Sequence, residues 1–180
     1  MIPGKSTNKK LPKELHPMPW INLTMRRGAL DKERQHALMA DLTSALMFWE
    51  QVPDTPAARK FMRGWVYEVA EDSDYNAGLP DHKDPFYFIE VRMPAGRLDT
   101  LARLGIIRDF TKLVLMAEGK AFVPENARRV WVTIQDIERD NWGIGGSTDW
   151  LRSYTSALDH FQSQLKEPAH GSLDESKASK

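Results

Sequence analysis

Apolar and polar side chains alternate from Trp20 to Met25 (Trp-Ile-Asn-Leu-Thr-Met), the period-two pattern of a half-buried strand. Beyond a turn at Gly28 the period lengthens. Leu38, Leu42, Ala45, Leu46 and Trp49 follow the i, i+4, i+7, i+8, i+11 spacing of one helix face, and Asp31 stands where the helix N-cap belongs. Alternation returns over Trp65 to Val69. The same order then recurs: a strand over Phe86 to Met93, a Gly96 turn, a cap at Asp99, and a strand over Val130 to Ile137. The helix between them is predicted to turn Leu104, Ile107, Thr111, Val114 and Leu115 inward.

The recurrence is also one of residues. Gly28-Ala-Leu-Asp31, Asp41-Leu-Thr43 and Glu50 reappear 68 positions later as Gly96-Arg-Leu-Asp99, Asp109-Phe-Thr111 and Glu118. Trp65-Val66 reappears as Trp131-Val132 at an offset of 66, because the second helix–strand connection is two residues shorter. One offset held across separate elements marks a tandem duplication. The repeats span 19–78 and 86–146, linked through Leu79-Pro-Asp-His-Lys-Asp-Pro85.

A strand–helix–strand unit of this size makes a right-handed crossover between parallel strands. Two units predict an α/β (α+β) domain: a four-stranded sheet with both helices on one face. The other face then carries Trp65, Tyr67, Trp131 and Ile134, an apolar patch too large to leave in water. Its burial between copies predicts an oligomer.

Outside the repeats the pattern changes. Residues 1–18 hold Lys5, Lys9, Lys10 and Lys13 among three prolines, with no continuous apolar stretch, and read as a disordered arm and not an export signal. Trp150, Leu151, Tyr154, Leu158, Phe161 and Leu165 predict an amphipathic helix over 147–167, ending before Pro168. The Ser-, Lys- and acid-rich 168–180 tail reads as disordered.

Composition narrows the chemistry. The 180 residues carry 25 Lys+Arg against 25 Asp+Glu, so charge offers no reason to expect a nucleic-acid or membrane partner. The absence of Cys excludes thiolate chemistry, and the five His are scattered without metal-ligand spacing, so no metal or cofactor is expected. No apolar run is long enough to span a bilayer, and a cytoplasmic location is the expectation. Gly143-Ile-Gly145-Gly146 lacks the Lys-Ser/Thr that a phosphate loop requires.

Four features together resemble the tautomerase superfamily, the relatives of oxalocrotonate tautomerase. They are Met18-Pro19 opening the first strand, the Gly96-Arg97-Leu-Asp99 turn, the Asn141-Trp142-Gly-Ile-Gly145-Gly146 ending, and the doubled β-α-β unit itself. The likeness covers 19–146 and is nearest to the fused, two-repeat members. It implies a homotrimer and a cofactor-independent tautomerase or isomerase of small 2-keto or enol carboxylic acids.

In that reading Pro19, as a free N-terminal secondary amine, is the catalytic acid or base, and Arg97 grips the substrate carboxylate or a developing enolate. Trp142 forms an apolar wall, and Asn141, Arg128 and Arg129 are candidate substrate contacts. The pattern also departs from the family. Ala29 replaces the corresponding Arg in the first repeat, and the second-strand Arg aligns with Gly64 and Trp131. The helpers of dehalogenase-like relatives align with Asn141 and Thr133, so dehalogenase chemistry is not carried over.

Pro19 follows 18 residues as written, and an internal proline nitrogen is an amide without basicity. Either translation starts at Met18 and that Met is removed, or the arm is cleaved, or the site does not work this way. The alternative function is a non-catalytic oligomeric binding or scaffold protein of the same fold.

Overall fold

β1 (Trp20–Arg26) runs into a turn at Gly28, whose φ of +79° is left-handed, and α1 (Lys32–Trp49) follows. Asp31 caps that helix by accepting from the Arg34 backbone N–H at 2.8 Å. A short α2 (Pro56–Arg59) leads to β2 (Arg63–Val69). The second repeat copies the plan: β5 (Tyr87–Pro94), a Gly96 turn, α3 (Thr100–Glu118), α4 (Pro124–Ala127) and β6 (Val130–Ile137). Asp99 caps α3 through the Ala102 N–H, also at 2.8 Å. Between the repeats stands a small hairpin, β3 (Tyr75–Asn76) and β4 (Leu79–Pro80). Ala77 and Gly78 both have positive φ, the requirement of a two-residue hairpin turn. The sequence pattern does not predict this hairpin, because strands of two residues have no readable period.

These elements come from a computed structural model, which describes residues 19–80, 84–144 and 148. The predicted arm (1–18), the rest of the predicted 147–167 helix and the 168–180 tail lie outside the described residues. The chain divides into two units, Met1–Trp142 and Gly143–Lys180, and the fold here is that of the first.

The sheet order is β2-β1-β5-β6. β1 pairs parallel with β2, β5 pairs parallel with β6, and the two repeats join antiparallel through β1 and β5, with Trp20 opposite Arg92. The starts of β1 and β2 therefore share one end of the sheet with the finishes of β5 and β6. The two long helices pack side by side on one face.

Ile21, Leu23 and Met25 of β1 and Tyr87, Ile89, Val91 and Met93 of β5 are buried against Leu38, Leu42 and Leu46 of α1 and Ile106, Phe110 and Val114 of α3. Each such side chain contributes about 1.5–3 kcal/mol by leaving water. The helices approach closely at Gly105, where an added Cβ would overlap the Trp49 ring. The Trp49 indole N–H donates to Asp109 of α3 at 2.9 Å.

Two expectations about faces are corrected. On α3, Leu104 and Ile107 point to solvent, at 60% and 40% exposure, while Ala102, Gly105, Ile106 and Phe110 turn inward. The apolar run from Leu104 to Ile107 fits more than one face, and the contact of Gly105 with Trp49 selects this one. Ile134 belongs with Val132 on the helix side of β6, two residues apart, whereas Trp131 lies on the opposite face. The open face carries Trp65, Tyr67, Phe88 and Trp131, all exposed. No helix among the described residues is long and apolar enough to cross a membrane.

Candidate active site

Pro19 is buried at the head of β1, where its carbonyl accepts from the Arg63 N–H of β2 at 3.5 Å. Since Trp20 faces Arg92 across the antiparallel pair, Pro19 comes level with the finish of β5 at Met93 and Pro94. The chain leaves β5 there and turns through Gly96, which brings Arg97 to the same end of the sheet. β6 finishes alongside, with the Ala95 N–H donating to the Ile137 carbonyl at 3.0 Å, and a short 3-10 turn over Arg139–Asn141 delivers Trp142.

Trp142 is buried, its ring 4.8 Å from that of Trp20. Trp20 also meets the edge of Trp65 at 6.0 Å. The Arg92 guanidinium carbon lies 5.6 Å from the Trp20 ring centre, within cation–π range. Three indoles and a cation thus crowd the mouth of the Pro19 end. Asn141 is exposed on the same approach.

Four of the six residues predicted from sequence therefore share one end: Pro19, Arg97, Asn141 and Trp142. Arg128 and Arg129 do not join them. They precede β6, which starts at the far end of the sheet beside Tyr87. Arg129 is buried and held in a two-pronged ion pair with Glu118, at 3.0 and 2.7 Å, while also donating to the Pro85 carbonyl at 2.7 Å. Arg128 is exposed. Neither reaches Pro19 within one chain.

The structure adds groups that the sequence does not single out for the site. Arg92 is one, readable only once the parity of β5 is known. Glu50 is another. It ends α1, is buried at 7% exposure, and has no hydrogen-bond partner for either carboxylate oxygen among the described residues. Burial pushes its carboxyl up to about 8, against the opposing pull of the Arg97 cation. The Arg97 Nε is likewise buried and without a hydrogen-bond partner. No group of three or more potential metal ligands occurs among the described residues.

The far end differs chemically. A cavity of about 510 Å³ lies there, lined by Tyr75, Phe86, Tyr87, Phe88 and Trp131. Tyr87 occupies the position in repeat two that Pro19 holds in repeat one. Its hydroxyl is raised above its usual range by burial first and by the negative Glu118 second.

No family model matches the chain, and no curated protein does. Solved structures do. A fused 4-OT asymmetric trimer aligns at a TM-score of 0.60 and 21% identity, covering 74% of this chain and 97% of its own. A member of the cis-3-chloroacrylic acid dehalogenase family aligns at 0.62 and 18%, covering 81% and 99%. A protein crystallised after inactivation by 2-oxo-3-pentynoate aligns at 0.58 and 20%, covering 71% and 93%. The fold is thus that of the fused, two-repeat structures of the tautomerase superfamily.

Proposed function

We propose that this chain, when it begins at Pro19, is a cofactor-independent tautomerase of small 2-keto or enol carboxylic acids. The observation that carries the reading is the convergence of Pro19, Arg97 and Trp142 at one end of the sheet, drawn from three separate segments. A free Pro19 would present a secondary amine on a rigid ring. Apolar surroundings and nearby cations (Arg97, and Arg92 beside Trp20) disfavour its protonated form, so it works as a base near neutrality.

The substrate carboxylate would be taken by the Arg97 guanidinium, and the conjugated carbon chain would lie against the Trp142 and Trp20 rings. Pro19 then removes a proton from the enol oxygen or from carbon next to the carbonyl and returns it elsewhere on the same molecule. No metal or cofactor enters this scheme. Asn141 would contact the substrate at the mouth.

The homotrimer belongs to the same proposal. It is supported by the exposed Trp65, Tyr67 and Trp131 and by the trimeric assembly named for the fused 4-OT neighbour. Dehalogenation is not proposed, since Asn141 and Thr133 stand where its helpers would be.

The test compares two forms of the protein on phenylenolpyruvate, one starting at Pro19 and one retaining residues 1–18. The Pro19-start form is expected to ketonise it and the longer form to be inactive, because acylation removes the nitrogen lone pair from use. Equal rates would end the proline mechanism. Inactivity of both would favour a non-catalytic oligomer.

A further inference from the structure

The duplication gives the Pro19 end a counterpart at the far end of the sheet, and the two ends differ in charge. At the Pro19 end aromatic rings stand among cations: the Arg92 guanidinium carbon lies 5.6 Å from the Trp20 ring centre, and Arg97 follows in the turn before α3. At the offset of the repeat Trp20 corresponds to Phe88, Arg92 to Thr24 and Arg97 to Ala29. Thr24 pairs with Phe88 across β1 and β5 just as Arg92 pairs with Trp20. The far end thus keeps its aromatic side chains and lacks both arginines.

A carboxylate stands there instead. The hairpin segment brings Asp74 and Tyr75 to the cavity of about 510 Å³ that Phe86, Phe88 and Trp131 line from the sheet. A cavity of that size holds a small ligand. The Phe86 and Trp131 rings meet at 86° with centroids 6.3 Å apart, so their faces form a corner. The Trp131 indole is fixed by its N–H, which donates to the Arg128 carbonyl at 3.1 Å. Phe88 is the cross-strand neighbour of Trp131 and extends the same wall.

Asp74 is half-buried and has no ion-pair partner among the described residues. The basic groups of this end are directed elsewhere. Arg129 holds Glu118 at 2.7 Å, Lys120 lies 3.8 Å from Asp84, and the exposed Arg128 does not line the cavity. Aromatic faces attract cations through the ring quadrupole, and methylated ammonium ions are the cations that aromatic cages recognise. A carboxylate on the same wall attracts that charge and repels an anion.

We propose that this cavity binds a small N-methylated ammonium ion, its methyl groups against Phe86, Phe88 and Trp131 and its charge balanced by Asp74. The site stands apart from the tautomerase reading, since neither Pro19 nor Arg97 takes part in it.

The experiment uses the full chain and choline as the probe, with 3,3-dimethylbutan-1-ol as an uncharged isostere of the same shape. Binding is measured by calorimetry at one total salt concentration, sodium chloride being exchanged for choline chloride. Saturable choline binding is expected, with the isostere about tenfold weaker. Trp131→Leu is expected to weaken choline about tenfold, and Asp74→Asn about fivefold. Thr24→Arg sets beside Phe88 the cation that Arg92 sets beside Trp20, and is expected to abolish binding with every cavity wall in place. All three positions lie outside the buried core.

Equal affinity for choline and its isostere would make the cavity a plain apolar site and overturn the proposal. Choline binding that all three substitutions leave unchanged would place the ion elsewhere, with the same consequence. Absence of binding by the parent contradicts the proposal outright. If Trp131→Leu then also alters the assembly size in light scattering, the cavity belongs to a contact with a second copy of the chain.

Discussion

Repeat two closes its helix with a glutamate whose two carboxylate oxygens are both hydrogen-bonded, and repeat one closes its helix with a carboxyl that has no hydrogen-bond partner among the described residues. The local sequences are close relatives: Asp-Leu-Thr before Glu50, Asp-Phe-Thr before Glu118, Arg63 and Arg129 leading into the second strands. Yet Arg129 grips Glu118 with both side chains buried, at 7% and 8% exposure, while Arg63 is exposed and Glu50 has no hydrogen-bond partner among the described residues. A duplicated unit that keeps one copy for stability can leave the other free to carry poorly satisfied groups. Such groups destabilise the fold, and they persist where they do chemistry.

Breaking the clamp of repeat two is expected to give the largest effect on stability. Glu118→Gln strands a buried Arg129 and is expected to lower unfolding free energy by about 3–5 kcal/mol in urea denaturation. The mirror change in repeat one has the opposite sign. Glu50 is neutral in the folded chain up to about pH 8 but ionises near 4.5 when unfolded. Between those values the unfolded state binds fewer protons, so stability falls as pH rises, by about 1.4 kcal/mol per pH unit. Glu50→Gln removes that slope. The variant is expected to match the parent below pH 4.5 and to exceed it progressively toward pH 8. A parent and variant that respond to pH identically would show that Glu50 is ionised in the fold.

The smallest effect sharpens what the repeats still share. Asp31→Ala and Asp99→Ala each remove one N-cap acceptor held at 2.8 Å, and both are expected to cost about 1 kcal/mol. A large inequality between the two thermal shifts would mean that the repeats differ in more than their glutamates.

The parts of this molecule legible in the sequence are those set by local physics. The caps at Asp31 and Asp99 and the turns at Gly28 and Gly96 depend on neighbours a few residues away, and the pattern predicts them. The internal repeat gives the β-α-β units and, through the crossover rule, the four-stranded sheet. Legibility fails where a choice depends on distant partners. The inward face of α3 is selected by Trp49 against Gly105, 56 residues apart, so Leu104 and Ile107 are misread. The misplacement of Ile134 is different in kind, because alternation from Trp131 already contains the answer.

For the site, Pro19, Arg97 and Trp142 are found through resemblance, and the sheet register brings them to one end. Arg128 and Arg129 are chosen by proximity in sequence to a family position, and strand direction carries them to the other end. Glu50 is visible only as the echo of Glu118. Nothing in the one-dimensional pattern tells which of the two glutamates finds an arginine.

The contrast between repeats predicts where chemistry resides. In the Pro19-start protein, turnover of phenylenolpyruvate is measured for Pro19→Ala beside Tyr87→Phe, the changes at equivalent positions of the two repeats. Pro19→Ala is expected to lose about 10²–10⁴ in rate, as for removal of a general base. Tyr87→Phe, which deletes a buried hydroxyl at the far end of the sheet, is expected to retain the parental rate. Retained activity in Pro19→Ala, or an equal loss in Tyr87→Phe, would contradict a site confined to the head of repeat one.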